Sequence, residues 1–573
     1  MSEPTRPVPW EIGPDGRTRA RITLSRKENK VRAEIEVPPH QAIPVVFVPG
    51  IMGSPLLATG ENAQVLGEDN RWSWFPDDAL GWVAGLTKWE SYSRLSPAER
   101  KTLLNPLATR PLTEPADADR EIVTKHSRAL HVEEALNRGW GSVMLSAYGD
   151  LLNFLEMQLR YICTPLGGPY PGIQGAMPAD ITRWGEMQGY EALRPETLRA
   201  AAEFRYPVYA VGYNWLRSNR DAADHLAERI RAIIQRCESL GMPCRHGVIL
   251  VTHSMGGLVA RLCAKRYPDM VQGIVHGVQP AIGAATAYRR VRAGWEDMIG
   301  AIGLGGTGRK IMPVFANAPG ALELLPNQRY GAGWLRVVSD GKEVLSLPTE
   351  ASGATPYTQI YLQSKTWWRL MDPEWIDPEP SNDPLSTLTK AWTHYHENIL
   401  VAESFHTELD DYYHPNSYVH YGADESQQAF HRITWKLQMG SIPSHLSGWP
   451  GTPAPPLPHD HIQTLRLTDD NHQGRVWMLN EQIDQHGSVV TYDTMNGRCF
   501  ADLAGQDQAG DGTVPAHAAE DAARNAVFSA RMSGYDHQGS YADRNVQNLT
   551  LYSILRIGAT AQPPGIKPRE QTS

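Results

Sequence analysis

Short, nearly unbroken apolar runs recur along the chain: IPVVFVP (43–49), YPVYAVGY (206–213), GVILVT (247–252) and GIVHGV (273–278). A half-buried strand alternates apolar with polar positions, so runs without alternation predict strands covered on both faces, as in a parallel sheet. Between them, MLSAYGDLLNFLEMQLRYI (144–162) and DAADHLAERIRAIIQRC (221–237) carry the apolar spacing of helices. Strands alternating with helices predict an α/β fold with right-handed crossovers.

Elsewhere the rhythm changes. Residues 1–40 read as an N-terminal extension, in which ARITL and VRAEIEV alternate around SRKENK and predict a hairpin. Residues 41–573 read as one large α/β domain interrupted by insertions at about 54–140 and 285–440. Both are rich in Trp, Pro and charge, and they are expected to cap the sheet. SIPSHLSGWPGTPAPPLP (441–458) predicts a surface loop, because its prolines cannot donate to a ladder; strand patterns resume at RVWML and SVVTYDT.

At 573 residues the chain exceeds the roughly 250–300 residues that one core usually serves, which fits two domains or one large domain with insertions. A net charge of −9 offers no general attraction to nucleic acid, so no nucleic-acid partner is expected. Five cysteines (Cys163, Cys237, Cys244, Cys263, Cys499) without CxxC spacing make a poor disulfide framework and point to synthesis in a reducing compartment. The N-terminus lacks an apolar signal core, and nowhere do about eighteen apolar residues run together, so neither a signal peptide nor a membrane span is expected. Cytoplasmic synthesis follows from that reading.

In VILVTHSMGGLVARL, Ser254 stands between a strand pattern and a helix pattern. A nucleophile elbow needs small residues two before and two after the serine; Gly256 fits, whereas Thr252 replaces the first glycine. The plain alternative is a polar residue closing a core strand. A serine is a weak nucleophile until a base takes its proton and an acid orients that base. Downstream, AGDGTVPAHAAE presents Asp511 and SGYDHQGSYAD presents His537, acid before histidine, far enough apart for an intervening helix. Asp511 could instead serve only its own turn. His517 is a competing base, and Asp536 reads as a solvated loop residue.

Acyl transfer also needs amides aimed at the developing oxyanion. VFVPGIMGSPL supplies a strand running into a glycine-flanked loop, and the expected pair of donors is the amides of Ile51 and Met255. Gly50 and Gly53 match neither phosphate-loop spacing. His394, His396, His406, His414 and His420 share one region but read as polar contacts rather than a metal site, and the chemistry requires no metal or organic cofactor. Trp72, Trp74, Trp82, Trp89, Trp367 and Trp368 fall in the insertions, where either core packing or a lid meeting a lipid surface accounts for them.

PVVFVPGIMGSPL, YPVYAVGYNWLRSN, VILVTHSMGGLVAR and GDGTVP occur in the order found in the lecithin:cholesterol acyltransferase and lysosomal phospholipase A2 group of α/β-hydrolases, which the chain resembles over its core motifs. The resemblance implies an α/β-hydrolase fold with cap insertions and a triad of Ser254, Asp511 and His537. It further implies an oxyanion hole at Ile51 and Met255, and a substrate pocket including Gly50, Met52 and Trp215, the last matching the tryptophan of the group's YDW element. The implied activity is cleavage of a lipid acyl ester through an acyl-serine, as in a lipase or phospholipase A. An acyltransferase handing the acyl group to an alcohol would use the same residues, and a non-catalytic binding protein retaining the fold is the reading from another class. No cysteine precedes Cys163, so the disulfide-closed lid loop of the secreted animal members is missing. A looser similarity to bacterial type VI secretion lipase effectors implies export without a signal peptide and an immunity or secretion partner, while peripheral contact with a membrane surface is what the lid reading of the tryptophans implies.

Overall fold

Val45, Val46, Phe47 and Val48 offer water no polar face, and in the computed structural model all four are buried inside a sheet. The structure describes residues 5–20, 32–35, 37–60, 71–77, 94–164, 168–178, 180–296, 304–379, 384–439, 462, 465–479, 481–483, 489–491 and 498–561. Seven strands form the central sheet: β1 (Val45–Val48), β2 (Glu186–Gln188), β3 (Val208–Ala210), β4 (Val248–His253), β5 (Val271–Gly277), β6 (Ser417–Gly422) and β7 (Phe528–Met532). Their order is β2-β7-β6-β5-β4-β1-β3, parallel throughout except for the β2 edge.

Side chains alternate across a strand, and the two faces fill two cores. Val46, Val48 and Leu250 pack with the apolar faces of α2 (Asn219–Ser239) and α3 (Gly256–Arg266). Val45, Phe47, Ile249 and Val251 pack with α1 (Leu145–Gln158) and α5 (Arg544–Thr560). Each such side chain contributes about 1.5–3 kcal/mol by leaving water. Helix α2 shows why these segments are helical: Ser218 caps its first turn, and Ala222, Leu226, Ile230, Ile233 and Cys237, spaced three or four apart, are buried. It ends just before Gly241, which takes φ +78°.

The insertion expected over 285–440 is interrupted by β6, a strand of the central sheet. SYVHYG escapes an apolar-run reading because of its Tyr and His, yet all six residues are buried. Segments on both sides of β6 build a second, six-stranded sheet ordered Lys342–Leu347, Leu335–Ser339, Ile433–Met439, Arg498–Leu503, Arg475–Leu479, Arg466–Asp470. In the earlier insertion, Leu56–Ala58, Trp72–Trp74 and Thr109–Pro111 pair antiparallel. At the N-terminus Trp10–Ile12 pairs antiparallel with Thr18–Ala20, and Thr5–Val8 pairs parallel with Arg32–Ile35. The turn of the predicted hairpin and the 441–458 loop lie outside the described residues.

The lipid-facing reading of the tryptophans is corrected by their burial. Trp72, Trp74, Trp367 and Trp368 are all core residues. Trp367 donates its indole N–H to the Ile462 carbonyl at 3.0 Å and meets Trp368 and Trp435 edge-on. Trp82 and Trp89 lie outside the described residues. No described helix is long and apolar enough to cross a membrane. A mostly parallel sheet, helices on both faces and a serine directly after a central strand make this the α/β-hydrolase fold.

Candidate active site

Between β4 and α3 the chain reverses at Ser254, which takes φ +52°, a left-handed conformation costly for a residue with a side chain. The turn is held from both sides: the Ser254 amide donates to the Gly277 carbonyl at 2.9 Å, and the Gly257 amide donates to the Ser254 carbonyl at 3.0 Å. Gly256 is obligatory here, because a Cβ would stand 2.5 Å from the carbonyl oxygens of Val48 and Pro49. Thr252 causes no conflict. It lies within β4, fully buried, with its hydroxyl 3.5 Å from the Val275 carbonyl.

Ser254 Oγ is 2.9 Å from His537 Nε2, and His537 Nδ1 is 2.8 Å from Asp511 Oδ2. The other carboxylate oxygen, Oδ1, accepts from the amides of Thr513 at 3.0 Å and Val514 at 2.7 Å. Asp511 therefore both makes its own turn and faces the imidazole, so the two readings of this residue are halves of one arrangement. With a carboxylate facing Nδ1, that nitrogen carries the proton and Nε2 presents its lone pair to the serine hydroxyl.

One site residue escaped the sequence reading. His253, directly before the serine, is buried with Nε2 2.9 Å from the His537 carbonyl and Nδ1 3.1 Å from the Tyr148 hydroxyl. Only the Nε2–H tautomer satisfies both, donating to the carbonyl and accepting from the tyrosine. Burial, and then the neighbouring His537, push the His253 pKa down to about 3, so it stays neutral. Its adjacency to Ser254 was the only signal in the sequence.

Gly50, Ile51 and Met52 line the cavity above the serine. A Cβ on Gly50 would lie 2.8 Å from His253 Nδ1 and 3.0 Å from Ser254 Cβ, so this close approach requires glycine. The amides of Ile51 and Met255 make no hydrogen bond among the described residues. The Met255 side chain is buried in the core. Trp215, expected on the pocket wall, instead lies behind it: it is wholly buried, 5.7 Å edge-on from Trp74, and Trp74 lines the cavity. His517 bonds the Tyr330 carbonyl at 3.0 Å from a separate helix, and exposed Asp536 accepts from the Gly539 amide at 2.7 Å. The five histidines scatter. His406 bonds the Glu323 carbonyl and Asn327, His414 the Asn416 amide, and His420 lies under Tyr541. Among the described residues no three potential metal ligands converge.

The cavity has a volume of about 720 Å³, and both insertions wall it. Trp74 and Pro76 come from the first; from the second come Ala284, Ala287 and Trp295 around α4 (Ala285–Ala293), with Phe315 and Leu324 beyond. Helix α4 also grips the loop that carries the acid. Thr286 Oγ1 donates to the Thr513 carbonyl at 2.6 Å, and Arg290 donates to Thr513 Oγ1 at 3.1 Å while pairing with Glu296 at 3.0 Å.

No protein-family model matches the chain, and no curated protein matches it in sequence. Among solved structures, a chain in the crystal structure of the Tle4–Tli4 complex is similar at 26% identity with a TM-score of 0.68, over 91% of this chain and 99% of that one. The crystal structure of Aspergillus fumigatus lipase B shares 14% identity over 57% of this chain and 96% of that one, with a TM-score of 0.15, too low to carry an argument. The protein thus has the α/β-hydrolase fold and is similar, over nearly its whole length, to a chain of the Tle4–Tli4 complex.

Proposed function

We propose that the protein is a serine hydrolase cleaving carboxylic esters of lipids, in the manner of a lipase or phospholipase A. The observation that carries the reading is the unbroken chain of short contacts from Ser254 Oγ through His537 to Asp511, opening into a large, mainly apolar cavity. Ser254 Oγ attacks the ester carbonyl carbon while its proton passes to His537 Nε2, and Asp511 stabilises the imidazolium that forms. The tetrahedral oxyanion is received by the amides of Ile51 and Met255, each donor being worth about a hundred- to a thousandfold in rate. Collapse breaks the bond to the alkoxy oxygen, which leaves with the proton from His537. Water then gives a proton to the same nitrogen as it attacks the acyl carbon, and collapse breaks the bond to Ser254 Oγ, which takes that proton back from His537 as the carboxylic acid is released. Gly50 and Met52 shape the mouth of the site, and the apolar walls receive the acyl chain.

Likeness to a chain crystallised in a two-protein complex supports a dedicated protein partner for this chain as well; action as an exported bacterial effector at a membrane surface belongs to the same proposal. The deciding experiment is labelling with a fluorophosphonate ester probe. Wild-type protein is expected to label at a single residue, Ser254, and Ser254→Ala not at all; a wild-type protein that stays unlabelled would return the chain to a binding role.

A further inference from the structure

At the edge of the sheet remote from Ser254, Phe204–Pro207 lead into the N-terminal end of β3, and beneath them lies a second cavity of about 70 Å³. Strands β3 and β4 both run parallel to β1, so this cavity sits at the opposite end of the sheet from the catalytic one. Trp10, from the N-terminal strand, closes it. The guanidinium carbons of Arg160 and Arg205 lie 5.6 and 5.4 Å from the Trp10 ring centroid.

Charge around the cavity is unbalanced. Glu134 and Glu156 are matched by Arg138, which reaches them at 2.6 and 2.7 Å, and by Arg236, which meets Glu134 at 2.5 Å. Arg160 and Arg205 form no ion pair among the described residues. Arg205 has only the Thr18 hydroxyl at 3.3 Å, and Arg160 only the Ala129 carbonyl at 3.2 Å, its buried Nε making no bond. Burial first, and then Arg138, hold the Arg205 guanidinium below its ordinary pKa. Arg160 and Arg205 are both half-buried, and the carboxylate that lines the cavity with them, Glu156, is already paired with Arg138; cations drawn partly out of water are costly unless something pairs them. A cavity this size has room for one carboxylate or phosphate group with a few waters.

We propose that the cavity between Trp10, Arg160 and Arg205 binds a small oxyanion, a carboxylate or a phosphate, which ties the N-terminal strand to the domain away from the catalytic cavity. The arginines supply planar forks of N–H donors suited to either group. This site is independent of the hydrolase reading.

The test is thermal unfolding of the full chain at constant ionic strength with inorganic phosphate, acetate or chloride. Phosphate or acetate is expected to give a rise in Tm that grows with the logarithm of its concentration and reaches about 2 °C near a hundred times Kd, with chloride giving none. The oxyanion that acts at the lower concentration distinguishes a phosphate site from a carboxylate site. Arg205→Gln should abolish the rise and Arg160→Gln should weaken binding at least about tenfold, while soluble-ester hydrolysis stays unchanged in both. Should Arg205→Gln fail to fold, Arg160→Gln carries the test alone. An equal response to chloride, or arginine variants that respond like wild type, overturns the proposal.

Discussion

Replacing Asp511 with asparagine changes one oxygen into an NH₂ group, and the structure dictates which one. Oδ1 is held by two amides, Thr513 at 3.0 Å and Val514 at 2.7 Å. An asparagine must keep its carbonyl oxygen there, since the flipped amide would set NH₂ against two N–H donors. Its NH₂ therefore faces His537 Nδ1, where the carboxylate stood at 2.8 Å. NH₂ only donates, so Nδ1 must give up its proton, and Nε2 becomes protonated and unable to accept from Ser254. A wrong tautomer of this kind costs about four orders of magnitude in kcat, or about 5.5 kcal/mol of transition-state stabilisation. Loss of the charged acceptor destabilises the fold by only about 1–3 kcal/mol, within the stability of an ordinary domain. Steady-state kinetics on a soluble short-chain ester should show kcat reduced about ten-thousandfold with little change in KM, and a thermal melt should show one folded protein. A folded Asp511→Asn enzyme within about tenfold of wild type would refute the role assigned to the carboxylate. A variant that unfolds would leave Asp511 a turn residue only.

Ser254→Ala and His537→Ala should each lower turnover by about four to six orders of magnitude, and the double variant should be no worse, because the pair acts as a unit; additive losses would separate their roles. His517→Ala, at a residue bonded to Tyr330 in another helix, should leave kcat within about twofold, and a large loss would reassign the base. Trp367→Ala should destabilise the fold by about 3–5 kcal/mol by opening a core cavity, with vesicle and soluble-ester hydrolysis affected alike; a selective loss on vesicles would restore a lipid-facing role. Burial holds His253 and His420 near a pKa of about 3 in the folded protein, whereas unfolded chains protonate near the ordinary 6.5. Stability should thus be full above about pH 6.5 and fall as pH drops toward 3, measured as Tm, and His253→Phe should flatten that slope; an unchanged slope would mean that His253 is not kept neutral.

The buried runs at 43–49, 206–213, 247–252 and 273–278 were legible because β-branched and other apolar residues cluster in them without polar alternation, most fully in VVFV and VILV. β6 and β7 were not, since SYVHYG and FSARM place Tyr, His, Ser and Arg among few aliphatic residues. Ser254, Asp511 and His537 stood out by order and glycine context, and they meet in space. Trp215 matched a motif, yet a motif does not say whether a side chain faces the cavity or the layer behind it. Trp72, Trp74, Trp367 and Trp368 left core and lipid lid open for the same reason: a ring that suits a lipid boundary suits a core equally, and burial decides for the core.

The acid loop shows why the cap and the triad cannot be treated as separate parts. Thr513 lends its amide to Asp511 Oδ1, while its carbonyl and hydroxyl are taken by Thr286 and Arg290 of α4. The residues around that same helix wall the cavity through Ala284, Ala287 and Trp295. A substrate that displaces α4 therefore pulls on the loop that orients His537, whereas one that fits the wall leaves the loop in place. If the proposed activity holds, selectivity for the acyl group and alignment of the base share one helix, and a cap substitution far from Ser254 is expected to act on kcat as well as on KM.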